Sequence, residues 1–296
     1  MYRKILNVGQ WYSGSSAVLD LLAEHDDVWV LPDNKANKMG EFIGYRLAWI
    51  DEIARVIDHG SIQRLNLLYG NFKRNIVSAT FSTPDITPNQ KEHIKKVNEI
   101  YVKEVHNIFI SDIQNKRVMF EYMSSCWIEM LCEITEKNNI VFDQAISSYS
   151  DPNIYNKIFL DNKIIVTERN ILDQITDIQI HSTFFWIVRT GGSIIDFIRQ
   201  SVSERQYWSN QRNDNKNILI IRFEDLVLQP KEMTEIIFEF LGFAASEHNL
   251  KEQYFKPDQS VKNIGKFKDY LSSREINTIH SELEKYDLSE LSSNIV

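Results

Sequence analysis

The chain has 296 residues, enough for one large α/β domain or two small ones. Hydrophobic residues make up 43% and charged residues 25%, ordinary values for a globular chain that set intrinsic disorder aside. With 33 basic against 41 acidic residues the net charge is −8, which argues against a nucleic-acid surface but leaves room for a local anion site.

Five apolar runs are too short and too β-branched for helices and read as buried strands: Ile5 to Val8, Val28 to Leu31, Ile140 to Phe142, Ile164 to Thr167 and Ile218 to Ile221. Helical segments separate them, the alternation of a parallel sheet covered on both faces. The first helix, Ser15 to Glu24, carries Ala17, Val18, Leu21 and Leu22 on one side, with Ser15 or Ser16 as its N-terminal residue.

Residues 35–137 are mostly helical with a polar interruption at Ser82 to Gln90, and read as an insertion between the second and third strands. Cys126 and Cys132, the two cysteines, lie six apart on different faces of a helix and read as buried thiols, suiting a reducing compartment. The third strand ends at Asp143 and Gln144, on the edge of a parallel sheet where ligands sit. A helix from about Lys231 to Leu241 follows Pro230 and stops at Gly242. The tail from Tyr254 to Val296 holds a loop, "KPDQSVKNIGKF", and an amphipathic helix from about Ser273. The N-terminus enters a strand directly, and no window approaches about 18 uncharged apolar residues, so a soluble cytoplasmic protein without a membrane span is expected.

The stretch "NVGQWYSGSSAVLDLL" joins a strand, a glycine-containing turn and a helix start, which together make an anion site of backbone N–H groups and a favourable dipole. Gly14 lets the backbone approach a ligand, and the hydroxyls of Ser13, Ser15 and Ser16 add donors. Gly9 and Gly14 have the spacing of a nucleotide-hydrolase loop, but Ser15 stands where that loop needs lysine. A Mg-ATP or Mg-GTP enzyme is therefore disfavoured.

"NVGQWYSGSSAVLDLLAEHDDVWV" resembles the 5′-phosphosulfate loop of sulfotransferases, Arg/Lys-Ser-Gly-Thr/Ser-Thr/Ser followed by a leucine-rich helix and a strand. "NKIIVTERNILDQITDI" is similar to that family's strand ending in Arg-Asp-Pro-Arg-Asp, and "NILIIRFEDLVLQPKEMTEIIFEFLGF" to its strand-Arg-Tyr/Phe-Glu-Asp-Leu unit. "FKPDQSVKNIGKFKDYL" resembles the C-terminal loop that closes over the nucleotide. The resemblance is to bacterial, carbohydrate-type sulfotransferases. It implies one α/β domain over residues 1–296, three-layered and P-loop-like, with a central parallel sheet, helical insertions and a cofactor-covering tail at 254–296. Its implied cofactor is 3′-phosphoadenosine 5′-phosphosulfate (PAPS, product PAP), and its reaction a metal-independent, in-line sulfuryl transfer to an acceptor hydroxyl or amine.

The resemblance carries over residue by residue. Ser13, Gly14, Ser15, Ser16 and Ala17 surround the 5′-phosphate, and Arg169 takes the 3′-phosphate. Where the family has a serine eight residues beyond that arginine, this chain has Asp177, whose charge repels phosphate; Thr176 is the neighbouring substitute. Lys262, Asn263 and Lys266 supply further donors from the tail. Glu41 is the expected base, with His106 as runner-up, and Lys35, Lys38 and Arg46 either complement an anionic acceptor or assist the transferring sulfuryl group. Tyr12 replaces the family's basic residue; its phenol donates to the leaving phosphate without neutralising it, so the source of positive charge stays open among Lys35, Lys38 and Lys266. Glu41 with Tyr45, Trp49, Tyr69 and Phe72 suits a saccharide acceptor in a cleft. Glu224 and Asp225 read as structural, with Arg222 paired to a carboxylate. The rival readings are a non-catalytic PAPS- or PAP-binding homologue and a P-loop kinase.

Overall fold

The structure, a computed structural model, describes residues 2–10, 12–30, 87–111, 114–143, 152–181 and 193–286, with the isolated positions 53, 56, 57, 66, 69 and 70. Five strands, β1 (Arg3–Gly9), β2 (Val28–Val30), β3 (Asn139–Asp143), β4 (Asn162–Glu168) and β5 (Ile218–Arg222), form one sheet in the order β2-β3-β1-β4-β5. The sheet is all-parallel with flanking helices, the α/β, P-loop-like architecture expected from the alternation of short apolar runs and helical segments. All five predicted strands are present; each is one to three residues longer than its apolar run, except β2, which stops at Val30.

The chain divides into two compact units, Met1–Leu6 with Asp27–Lys163, and Asn7–Asp26 with Ile164–Val296. In the first, β2 and β3 pair in register Val28 to Asn139. Its helices α2 (Pro88–Ile110) and α3 (Lys116–Cys132) bear out the helical character expected of the described part of 35–137. The polar stretch expected to interrupt helix through Gln90 instead starts one: Thr87 accepts from Gln90 N at 3.3 Å, its own N–H donates back to Gln90 Oε1 at 2.9 Å, and Pro88 opens the first turn. The two helices meet through Trp127, stacked on Tyr101 at 4.6 Å and donating from Nε1 to Asn98 Oδ1 at 2.9 Å. Lys4, fully buried on β1, pairs with Glu129, so the cost of burying its charge is offset by a partner. Cys132 is buried and its thiol pushed up to about 12 by that burial, while Cys126 is partly exposed; both are free thiols. Helix α4 (Pro152–Ile158) completes the described part of the unit.

In the second unit β4 and β5 pair in register Ile164 to Ile218. Helix α1 (Ser15–Leu22) follows β1, α5 (Ile171–Ile180) and α6 (Ile194–Asp214) follow β4, and α7 (Phe223–Leu228) and α8 (Pro230–Leu241) follow β5. Gly242 ends α8 in the left-handed conformation, φ 70°, as its position predicts. Short helices α9 (Pro257–Ser260) and α10 (Phe267–Tyr270) lead to α11 (Ser273–Glu284), which Ser272 and Glu275 cap reciprocally. Ile171, Ile175, Ile178, Ile198, Phe267 and Leu283 form a shared apolar core here, each buried side chain contributing about 2 kcal/mol. Glu24, 1% exposed, fastens the tail by accepting from the N–H groups of Tyr254 at 2.9 Å and Phe255 at 2.8 Å. Among the described residues no helix is long and apolar enough to cross a membrane.

The strand order has a positional consequence. The chain leaves β1 towards β2 on one side of the sheet and leaves β4 towards β5 on the other. The carboxyl ends of β1 and β4 therefore form the switch point where open parallel sheets hold ligands.

Candidate functional site

The loop after β1 is built around two close approaches. A Cβ at Gly9 would lie 2.1 Å from Ser13 Oγ, and one at Gly14 would lie 2.2 Å from the Phe223 ring. Gly14 also has φ 88°, where a side chain is strained, and it is the residue that caps α1; the sequence pointed to Ser15 or Ser16 for that role. Asn7 on β1 holds the turn by donating from Nδ2 to Ser15 O at 2.9 Å. Ser13 is 1% exposed, and its Oγ is buried without a hydrogen-bond partner. Gly14 caps α1 and Ser16 lies in its first turn, where the N–H groups have no carbonyl four residues back within the helix. Two of the expected donors are used internally: Ser13 N bonds Gln10 O at 2.8 Å, and Ala17 N bonds Gly14 O at 2.9 Å.

Tyr12 is strained at φ 58°, a backbone state costing about 1 kcal/mol or more outside glycine. Its ring stacks on His181 at 5.4 Å. Its carbonyl accepts from Arg169 Nη1 at 2.8 Å, which ties the turn to the end of β4.

Arg169 is the hub of the site. It is 4% exposed and lies over the Phe223 ring at 5.2 Å. Nη1 also donates to Asp177 Oδ2 at 2.6 Å, and Nη2 donates to Asn263 O at 2.5 Å, leaving Nε without a partner. Lys266 Nζ reaches Asp177 Oδ1 at 2.5 Å. Burial alone would raise the Asp177 carboxyl; hydrogen bonds from Lys266 and Arg169 reverse this and hold it below the usual carboxylate range. Asp173, one turn earlier on α5, accepts from Gly265 N at 2.8 Å and Phe267 N at 3.1 Å. Burial raises its carboxyl, and those amides only partly offset the shift.

Behind this layer Arg205 donates from Nη2 to Arg169 O at 2.5 Å and to Gln174 Oε1 at 3.0 Å. Glu224, 1% exposed, accepts from Asn170 N at 2.7 Å and lies 3.6 Å from Arg222 Nε, a structural role for that carboxylate. Half-buried Glu204 has its carboxyl pushed up to about 8 by desolvation, against a hydrogen bond from Gln200 and the charge of Arg205.

The chain's sequence matches the sulfotransferase family over residues 5–247. The chain belongs to the sulfotransferase family. Sequence comparison with curated proteins returns no match. Among solved structures it is similar to the sulfotransferase domain from the Synechococcus PCC 7002 olefin synthase, at 14% identity and a TM-score of 0.50, covering 97% of this chain and 94% of that one. At that identity the likeness shows the fold. Family membership makes sulfuryl transfer the general chemistry of the chain.

Within this sulfotransferase, the structure brings Tyr12, Ser13, Gly14, Arg169, Asn263 and Lys266 into one unit around Arg169. Lys262 is exposed on the tail turn. Asn263 contributes its backbone carbonyl. Thr176 corrects an expectation: it is fully buried and its hydroxyl donates to Leu172 O at 2.9 Å, so it turns into its own helix and does not replace the serine. His106 is exposed, with its ring 5.2 Å from that of Tyr69. Asp143 ends β3 and is buried. Glu41, Lys35, Lys38, Arg46, Tyr45, Trp49, Phe72 and Gln144 lie outside the described residues. Asp173 is legible in sequence only as an ion-pair partner for Arg169, and Glu204 and Arg205 give no sequence signal. Asp173 and Asp177 are four apart on one helix behind a strand-end arginine, a spacing that places both on its face.

Proposed function

We propose that this sulfotransferase takes its sulfuryl group from a nucleoside 5′-phosphosulfate seated on the loop from Ser13 to Ala17. The proposed acceptor is a hydroxyl of a carbohydrate or glycoconjugate. The observation that carries the donor half is the buried, unpartnered Ser13 Oγ beside the first-turn N–H groups of α1. An orphaned hydroxyl at such a depth costs about 1 to 3 kcal/mol, which a phosphate oxygen would recover.

The donor supplies an activated sulfuryl group on a nucleotide leaving group. In the transfer the acceptor oxygen bonds to sulfur, the bond from sulfur to the 5′-phosphate oxygen breaks, and the acceptor proton passes to a base. The Ser13 hydroxyl and the amides of Gly14 and Ser16 would stabilise charge developing on the leaving phosphate. Asn7 and Arg169, through Ser15 O and Tyr12 O, keep those donors in place. Glu41 is the base in this reading, and no step is assigned to a metal. Carbohydrate is preferred as acceptor because of Glu41 and the aromatics around it in the sequence.

The family donor, PAPS, also carries a 3′-phosphate. That end does not fit the residues found: Arg169 spends both terminal nitrogens on protein oxygens, and Asp177 presents a carboxylate beside them. The same observation favours a second reading, a non-catalytic nucleotide-binding homologue. A sulfation screen on a sugar array, run in chelator with PAPS and with adenosine 5′-phosphosulfate, separates the two. Sulfated sugar from the wild type and none from Glu41→Gln supports the enzyme; nucleotide binding without transfer to any acceptor supports the binder.

A further inference from the structure

Resting on the donor loop just described, we propose that Asp177 is a built-in anion standing where a 3′-phosphate would bind. The donor this chain selects is then a nucleoside 5′-phosphosulfate without a 3′-phosphate, and Asp177 is the residue that sets this specificity. Both carboxylate oxygens of Asp177 are engaged, Oδ2 by Arg169 at 2.6 Å and Oδ1 by Lys266 at 2.5 Å. Two cations converging on one anion from a strand end and a tail loop is the arrangement a phosphate dianion would demand. Here the protein supplies the anion itself.

Most of the cluster's donors are already engaged. Arg169 Nη1 serves Tyr12 O and Asp177 and Nη2 serves Asn263 O, which leaves Nε and the second Nη2 N–H. Asp173, one turn earlier on α5, adds a second acid near Arg169 and Asp177. A phosphate on Arg169 would lie against the Asp177 carboxylate in a site where Arg169 is 4% and Asp177 5% exposed, with little water to screen the repulsion.

The tail points the same way. Asn263 O, Gly265 N, Lys266 Nζ and Phe267 N are each held by Arg169, Asp173 or Asp177, and Phe267 and Leu271 sit in the apolar core. The tail turn is thus docked onto Arg169 and α5 through these groups.

Calorimetry on the full chain with adenosine 5′-phosphate and with 3′-phosphoadenosine 5′-phosphate tests this, using wild type and Asp177→Ser. We expect the wild type to bind adenosine 5′-phosphate as tightly as the 3′-phosphorylated nucleotide or more so, and Asp177→Ser to shift the ratio at least about tenfold towards the latter. Tighter binding of the 3′-phosphorylated nucleotide by wild type overturns the inference while leaving the loop reading intact. Binding of neither nucleotide overturns the loop reading, and the inference with it. Should Asp177→Ser fail to fold, the wild-type ratio alone decides.

Discussion

Asp177 lies eight residues beyond Arg169 and receives its Nη1 at 2.6 Å, so the arginine just after β4 is neutralised by the helix that follows it. The same Nη1 reaches Tyr12 O at 2.8 Å. One guanidinium therefore joins a buried acid, a strained loop residue and, through Nη2, the tail.

Removing that acid leaves two cations without their shared partner. Asp177→Ala is expected to lower stability by about 3 to 5 kcal/mol near neutral pH, measured by urea unfolding. The pH dependence has a definite sign. A carboxyl held below its unfolded value contributes stability above that value and loses it as pH falls through the folded one. The difference between wild type and Asp177→Ala should therefore shrink as the solution is acidified below about pH 4.

Gly14→Ala should cost about 2 kcal/mol or more and abolish nucleotide binding, because φ 88° and the Phe223 ring 2.2 Å from the new Cβ both oppose it. Gly70→Ala is the control. Gly70 is helical with open space around it, and the same change there should be neutral or stabilise by up to about 1 kcal/mol. Thermal unfolding and calorimetry of the pair check both expectations.

Asp173→Ala strips the acceptors from Gly265 N and Phe267 N. We expect amide exchange at those two positions to accelerate by at least about tenfold while α8 keeps its protection, as a local opening of the tail would produce. Unchanged exchange at both positions would show that the apolar contacts of Phe267 and Leu271 hold the tail without Asp173.

Glu204 titrates in the opposite sense to Asp177. Its carboxyl is raised to about 8, so the folded state holds a proton that the unfolded chain releases near its ordinary value of 4.5. The stability it contributes is complete below that ordinary value and is lost as pH rises through about 8. Wild type should lose stability between those limits relative to Glu204→Gln, as read from unfolding midpoints across that range.

Much of the architecture was legible in the sequence because parallel strands buried on both faces are short apolar runs, as at Ile164 to Thr167 and Ile218 to Ile221. Gly242 was legible for a similarly local reason, since a helix end needs φ above zero. Gly14 reads in sequence as a close-approach residue, while the polarity of the serines beside it mimics the cap that Gly14 supplies. The charge conflict at Asp177 was visible in sequence, but its resolution was not. Lys266 arrives from 89 residues away, and no periodicity reports a contact of that range. Thr176 failed for a geometric reason: one residue is 100° of helix, enough to turn a hydroxyl from the site to the helix's own carbonyl.

The central claim is that the Ser13 loop seats a nucleoside 5′-phosphate end. Calorimetry of adenosine 5′-phosphate against wild type and Ser13→Ala, in chelator, tests it most directly. The account predicts micromolar binding by wild type and a loss of about tenfold in Ser13→Ala, whose unliganded fold, relieved of the orphaned hydroxyl, is at least as stable. Equal affinity in the two proteins would contradict it.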